Sequence, residues 1–479
     1  MQKKEKIRQR DLAEELRRAD ISKEKRKQIL ENVRDKLEKD NSMKLSIKEG
    51  GFASIMSGLG DSYIIPFALA LNSSNFQIGL LKSFSSLFPP LSQIFGSKLI
   101  EKYPRKKIIV FYVALQALMW IPILLLSFLF MKNIFFDYLP YFLILFYTFN
   151  VIFGAIAGPA WFSLLGDIVP ENIRGRYFGK RNRITGTIAL ISTLIGAFLL
   201  DFFKTKGIIL IGFSILFSIA GIARLISVYF FEKHYEPKFK LDGKYYFSFL
   251  SFLKGIKKYN FSRFSLFVAI MHFSVVIAGP FFSVYMLKEL NFSYVTFMGV
   301  SLSASLFSLI MMPIWGKFSD KYGRKEVLII SSVLISIMPL LWFYSSSPYY
   351  LIFPMAISGI GWAGFNLSAF NFIYDSVSIR RRGLCVAYYN LLIGIGLFLG
   401  AGLGGIILKF LPLLNLNINS FLILFLVSGV LRGLSAIIFL PQIKEVRKVR
   451  KFHPVLLFKK MRITHGITHE LMHDFGIEK

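Results

Sequence analysis

Long apolar runs limit what this chain can fold into more than any other feature. Twelve such runs occur, each close to the ~20 residues that a helix needs to cross a bilayer. Lipid offers the backbone no hydrogen-bond partners, so each run must be a helix or part of a closed barrel. The runs are continuous rather than alternating, which indicates an all-α polytopic membrane protein. We predict spans at about 50–71, 76–99, 107–131, 139–165, 184–203, 207–231, 261–286, 293–315, 326–344, 348–374, 384–411 and 418–440.

Basic residues are concentrated in every second connection between these runs. The formal net charge is +30, which on a soluble chain would suggest a nucleic-acid partner. Here the cations flank spans, so positive-inside bias and attraction to anionic headgroups explain them, and we expect no nucleic acid. The rule places both termini in the cytoplasm of a multi-pass protein of the cell membrane. The basic connections carry Lys102, Arg105, Lys106 and Lys107; Arg174, Arg176, Lys180, Arg181 and Arg183; Lys321, Arg324 and Lys325; and Arg380, Arg381 and Arg382.

The two halves of the chain repeat each other. Asp167-x6-Arg174-Gly175-x6-Asn182 recurs as Asp375-x6-Arg382-Gly383-x6-Asn390, and Arg224 recurs as Arg432. Such a parallel repeat predicts two six-helix bundles related by a pseudo-twofold axis along the membrane normal. Before the first bundle, Ser22 is placed to cap a basic amphipathic helix. We predict a cytosolic extension at 1–48, bundles at 49–231 and 261–440, a basic cytosolic linker at 232–260 and a basic, His-rich cytosolic tail at 441–479.

The loop Gly316-Lys317-Phe318-Ser319-Asp320-Lys321-Tyr322-Gly323-Arg324-Lys325 lies between two spans. It resembles the signature loop of the major facilitator superfamily, G-x-x-x-D-[RK]-x-G-[RK]-[RK], and the resemblance covers about 45–445. It implies a major-facilitator-type fold and a monomeric secondary transporter that moves a small solute by alternating access, with H⁺ as the expected coupling ion. The chain departs from the superfamily's drug/proton antiporters, because Asn150 stands where they carry an Arg four residues before a Gly.

The resemblance also implies a conformational latch on the cytoplasmic side. The loop acid Asp320 is expected to meet the N-terminal end of the eleventh helix near Gly383, and Arg324 to pair with Asp375. An anion is favoured at a helix N-terminus, and a partly buried ion pair is costly to break from one side. Such contacts suit an element with two states. The predicted latch residues are Gly316, Asp320, Gly323, Arg324, Lys325, Asp375 and Arg382 in the second half, and Glu101, Arg105, Asp167 and Arg174 in the first.

Polar groups at mid-membrane depth are the candidates for substrate and ion binding, because ionisable side chains there are costly and usually functional. Asp61 is the leading candidate, as a carboxyl group amid small residues; its alternative is a structural partner for Lys82. His272 is a candidate proton relay, although a lone His on an apolar helix is more often a packing residue. The amides are equally compatible with holding helices together. The candidates are Asp61, Lys82, Gln116, Asn150, His272, Asn366 and Asn371.

The C-terminal tail carries a histidine pattern. His469-Glu470-Leu471-Met472-His473 matches H-E-x-x-H, which places two imidazoles on one helix face, and His465 extends that face by one turn. We favour a solvated helix at the lipid surface over a Zn²⁺ site, and a Zn²⁺ site over a metallohydrolase, since a five-residue pattern is weak by itself. Otherwise we expect no cofactor and no enzymatic activity. A transport-inactive sensor or scaffold of the same fold is the other alternative.

Overall fold

The computed structural model describes residues 22–237, 248–377, 379–414, 417–447 and 449, and every regular element in these ranges is a helix. The first half contains α1 Lys23–Leu59, α2 Ile64–Ala70, α3 Asn75–Leu99, α4 Arg105–Leu118, α5 Trp120–Met131, α6 Leu139–Ile168, α7 Arg174–Thr205 and α8 Ile209–Glu232. The short α9 Phe249–Lys254 follows. The second half contains α10 Asn260–Val284, α11 Tyr294–Tyr322, α12 Arg324–Ile337, α13 Pro348–Ser376, α14 Ile379–Phe410 and α15 Ser420–Phe439.

The predicted all-α membrane fold is confirmed. Eleven helical segments in the described ranges are long and apolar enough to cross a membrane. The second predicted span, α3, is not among the eleven, because Pro89, Pro90 and several polar residues lower its hydropathy. It is nevertheless 25 residues long and packs between α6 and α14. With α3 included, the helices supply the twelve predicted crossings.

Several helices extend beyond the apolar runs that predicted them. α1 begins at Lys23, capped by Ser22, whose Oγ lies 3.4 Å from the Lys25 amide nitrogen. It runs unbroken across the predicted boundary at 48–49. α7 begins ten residues before the predicted 184, within the basic connection. Hydropathy marks where a helix leaves lipid, whereas backbone hydrogen bonding continues wherever the chain allows it.

The first span is divided, which the apolar pattern did not indicate. α1 ends at Leu59, a 3₁₀ turn covers Asp61–Tyr63, and α2 then completes the crossing. Gly60 stands at the break against the indole of Trp120, and a Cβ added there would lie 2.4 Å from that ring. Only glycine fits this contact, so the break is fixed by packing against α5.

We call the end of the bundles with connections 71–74, 206–208 and 290–293 the short-loop side, and the end with 100–104, 169–173 and 233–259 the basic-loop side. The largest buried cluster joins both halves from mid-depth to the short-loop side. Within it the rings of Phe213 and Tyr294, from opposite halves, meet edge-on at 6.0 Å. The other three clusters each belong to one half. Among the described residues, therefore, a buried cluster joins the halves toward the short-loop side, and each cluster on the other side lies within one half.

The direct contact between α3 and α14 depends on small residues. A Cβ on Gly79 would lie 2.8 Å from the Ala401 carbonyl oxygen and 3.0 Å from Gly405 Cα. Ser83 Oγ donates to the Phe398 carbonyl at 2.8 Å. In a membrane no hydrophobic effect drives apolar helices together. Close backbone approach of this kind lets them associate through packing instead.

Candidate functional site

Asp61 lies at the break in the first span, where the chain leaves α1. Its side chain is half-buried, and the neighbouring Ser62 is exposed. The Tyr147 hydroxyl of α6 donates to Asp61 Oδ1 at 3.3 Å. The nearby positive charges that act on the carboxylate are those of Lys82 and Arg224. The structure therefore places Asp61 among a phenol and two cations at mid-depth.

Lys82 is exposed on α3. Its charge and that of Asp61 act on each other, although the two are not in the direct contact that defines an ion pair in the described ranges. The predicted structural role, a partner for Asp61, thus takes the form of a longer-range attraction. Because Lys82 and Asp61 are not directly paired, each can also contact a solute, as ionisable groups at this depth often do.

Gln116 and Asn150 are buried inside the first half. Asn150 Nδ2 donates to the Gln116 backbone carbonyl at 3.0 Å, and Arg224 Nε donates to Gln116 Oε1 at 2.9 Å. Gly154 packs against the Gln116 side chain. These contacts link α4, α6 and α8. They show both amides holding helices together, one of the two roles that the sequence left open.

The second half presents aromatic groups where the first presents charge. His272 Nδ1 lies 2.8 Å from the Val268 carbonyl oxygen of its own helix. Its ring is 5.3 Å from that of Trp362 and 6.1 Å from that of Phe365. This is the packing environment that was the alternative to a proton relay. Asn366, on the same helix as Trp362, is exposed, and Asn371 is half-buried.

A second buried acid in the first half was missed from sequence. Glu49 is 2% exposed and accepts from Arg181 Nη2 at 2.8 Å. Trp161 Nε1 donates to the same carboxylate at 3.3 Å, and the Arg181 guanidinium lies 4.8 Å from the Trp161 ring centroid. The only sequence signal was an acid immediately before Gly50 at the start of an apolar run. The cluster joins α1, α6 and α7.

The latch arginine of the first half is the more buried of the two latch arginines. Arg105 is 1% exposed, and its Nη1 lies 2.6 Å from Asp167 Oδ2. The same nitrogen donates to Ser163, and Nη2 donates to the Pro237 carbonyl. Arg174 instead donates to backbone carbonyls at the end of α6, and Glu101 is exposed in its loop.

In the second half Arg324 Nε lies 3.3 Å from Asp375 Oδ2, and its Nη1 lies 3.0 Å from Asp320 Oδ1. Asp320 is also 3.2 Å from Arg447 Nη1, so both of its arginine contacts among the described side chains are within its own half. Gly323 adopts a φ of +99° between α11 and α12, a conformation that explains this loop glycine. Gly316 lies in α11. The side chains of residues 379–383, including Arg382, lie outside the described part of the chain.

Each half also uses an acid from beyond its last helix, which sequence reasoning missed. Glu445 Oε2 accepts from the Lys325 amide at 2.8 Å, at the N-terminus of α12. Glu236 Oε1 is 3.5 Å from the Lys106 amide, at the N-terminus of α4. An anion is favoured at a helix N-terminus. The predicted metal ligands His465, His469 and His473 lie outside the described residues.

The family model of the Major Facilitator Superfamily matches residues 50–268 and 264–467. The two matches together cover most of the chain and correspond to its two halves. The chain belongs to the major facilitator superfamily. An uncharacterized transporter of Schizosaccharomyces pombe is 31% identical over 169 residues, which are 35% of this chain and 28% of that protein. This chain thus spans less than a third of that relative's length.

The multi-drug resistance efflux pump PmrA of Streptococcus pneumoniae is 25% identical over 329 residues, covering 65% of this chain and 76% of the pump. The crystal structure of nucleoside transporter NupG superposes with a TM-score of 0.60 at 16% identity, over 85% of this chain and 99% of that one. The latter is a likeness of fold alone. With the family match, these relatives identify this chain as a multi-pass membrane protein of that superfamily.

Proposed function

We propose that this major facilitator protein is a secondary transporter that couples solute movement to H⁺ through Asp61. The observation that carries the proposal is the position of Asp61 at a break in the first span, beside Tyr147 and near two cations. Discontinuous helices near the midplane form substrate and ion sites in several transporter folds.

The distribution of charged residues supports an orientation. Lys and Arg are concentrated on the basic-loop side, which the positive-inside rule assigns to the cytoplasm. Both termini then lie in the cytoplasm of a cell-membrane protein, with anionic lipid against its basic loops. Nothing in the proposed cycle needs a second copy, so we propose a monomer.

The packing of the halves supports an inward-facing state. One buried cluster contains residues of both halves and lies toward the short-loop side. Each of the other described clusters contains residues of one half only. Asp320 contacts Arg324 and Arg447 of its own half. We propose that the predicted contact of Asp320 with the start of α14, whose first side chains lie outside the described residues, belongs to the other state.

A thermal-shift screen of purified protein tests the proposal and identifies the solute class. Sugars, amino acids, organic anions, nucleosides and lysolipids are compared, because a ligand that binds the folded state raises its melting temperature. We expect one class to stabilise the protein, with the shift lost in Asp61→Asn and kept in Asp137→Asn, an exposed acid on the short-loop side. A shift of equal size in Asp61→Asn would contradict a role for Asp61.

A further inference from the structure

One carboxylate crosses between the halves on the short-loop side. Asp201, in the last turns of α7, accepts from two successive backbone amides at the start of α11. Its Oδ1 is 2.7 Å from the Tyr294 nitrogen, and its Oδ2 is 2.8 Å from the Val295 nitrogen. The third amide of that turn, of Thr296, donates to the N-cap Ser293 at 3.1 Å. Two backbone amides in the first turn of a second-half helix therefore donate their hydrogen bonds to a first-half side chain.

This contact combines two favourable terms. Hydrogen bonds to an ionised acceptor are roughly twice as strong as neutral ones, and the partial positive charge of a helix N-terminus favours an anion. Both carboxylate oxygens are used, which fixes the orientation of Asp201 against α11. The contact cannot survive a separation of α7 from α11, because the donors are backbone groups of the other half.

The surroundings mark the same place as a junction between the halves. A cavity of about 440 Å³ lies beside it. Asn72, Ser73 and Lys204 line it from the first half, and Lys288 and Asn291 line it from the second. Both asparagines have positive φ, 58° and 53°, so the two short loops turn alike.

Two further details belong to this junction. Lys288 belongs to a π-helical turn, Tyr285–Glu289, that ends the seventh crossing, and such turns occur often at functional sites. Lys204 Nζ lies 5.6 Å from the Tyr294 ring centroid, a second contact from α7 to the first residue of α11.

We propose that Asp201 is the gate residue that holds the short-loop side closed, and we call its bond pair to α11 the Asp201 clamp. Opening of this side to expose the solute site must break the clamp, and closure must remake it. The inference depends on alternating access, which is part of the proposed function, but not on Asp61 or on the coupling ion.

Cysteine labelling measures the clamp without knowledge of the solute. Cys385 is the only cysteine and is buried, so a Cys385→Ser background is free of thiols. Ser73 lines the cavity and is 6% exposed, so Ser73→Cys reports opening. In purified protein we expect a maleimide to label this thiol about tenfold faster in Asp201→Asn, the size expected for losing one charge-assisted hydrogen bond. We expect a larger increase in Asp201→Ala.

Asp137→Asn is the matched control. Asp137 is another acid on the short-loop side and is exposed. The cysteine at position 73 should therefore be labelled at the same rate in Asp137→Asn as in the parent. Asp201→Glu keeps the charge with one more methylene and should label at an intermediate rate, which also tests the clamp if Asp201→Asn does not fold. Equal rates in the parent, Asp201→Asn and Asp201→Glu would overturn the proposal. Because no transport is measured, that failure is distinct from failure of the Asp61 proposal.

Discussion

The two halves have the same scaffold but different chemistry at mid-depth. The first half has Asp61 and Glu49 in or beside its first span. The acids of the second bundle are Glu289, Asp320, Glu326 and Asp375, all near the ends of spans. In place of buried carboxylates the second half has His272 against Trp362. We propose that the repeated residues build the frame and the latch, and that Asp61, which has no counterpart, carries the coupling.

The paired arginines of the sixth and twelfth crossings show the same contrast. Arg224 donates to Gln116, and the charges of Glu49 and Asp61 act on it. Arg432 is 1% exposed and donates to the Ile335 and Val275 carbonyls and to Ser428. One symmetric position therefore stabilises an acidic site in the first half and only the helix packing in the second.

Removal of the latch acid should destabilise the protein more when the acid is in the first half than when it is in the second. Asp167→Asn removes a 2.6 Å charge-assisted bond from the 1%-exposed Arg105, which keeps a 3.8 Å approach to Glu236 and bonds to neutral oxygens, so we expect a loss of about 2 kcal/mol. Asp375→Asn leaves Arg324 its 3.0 Å bond to Asp320, so we expect about 1 kcal/mol. Thermal melting in one detergent measures both. Equal losses would show that the two pairs do not differ as the burial and remaining partners of their arginines indicate.

The loss of folding stability at low pH should also arise from a group of the first half. Burial lowers the pKa of His234 to about 4, and the charges of Lys106 and Arg181 act in the same direction. Between pH 6.5 and about 4 the unfolded chain therefore binds a proton that the folded chain does not. Stability should fall as pH is lowered through this window, by about 3 kcal/mol in total, and level off below it.

His234→Asn should flatten that part of the pH profile of melting. Gln442, which follows the last helix of the second half as His234 follows that of the first, does not titrate. Gln442→Ala is therefore the matched control and should keep the parent's profile. An unchanged slope in His234→Asn would assign the acid sensitivity to other groups.

The smallest effect on stability is expected at Asp320. Its side chain is 67% exposed, so Asp320→Asn should cost under about 1 kcal/mol. Transport should nevertheless fall, because the other state needs this acid at the start of α14. Glu101→Gln, in the loop where Pro104 replaces the second glycine, should reduce transport less. Full solute flux in Asp320→Asn would exclude a latch at this loop.

Much of the frame could be predicted from sequence because it is repetitive. Apolar length indicated the crossings, and the repeated Asp-x6-Arg-Gly motif indicated which acids end the fourth and tenth of them. The resemblance then implied the contact between Arg324 and Asp375, which the structure contains at 3.3 Å. These features are local in the chain or occur twice.

The contacts that sequence missed join residues far apart. Glu49 and Arg181 are 132 residues apart, and Asp201 and Tyr294 are 93 apart. Neither contact has a counterpart in the other half that would have marked it. The break at Gly60 depends on the Trp120 ring, which is set by packing of α5. Hydropathy reports only the apolar character of that stretch.

Proton movement in liposomes tests the central claim, that the first half alone carries the coupling group. The solute class found by melting is added outside vesicles that contain a pH-sensitive dye. We predict a solute-dependent pH change for the parent and for His272→Gln, and none for Asp61→Asn. A full signal in Asp61→Asn, or its loss in His272→Gln, would contradict the account.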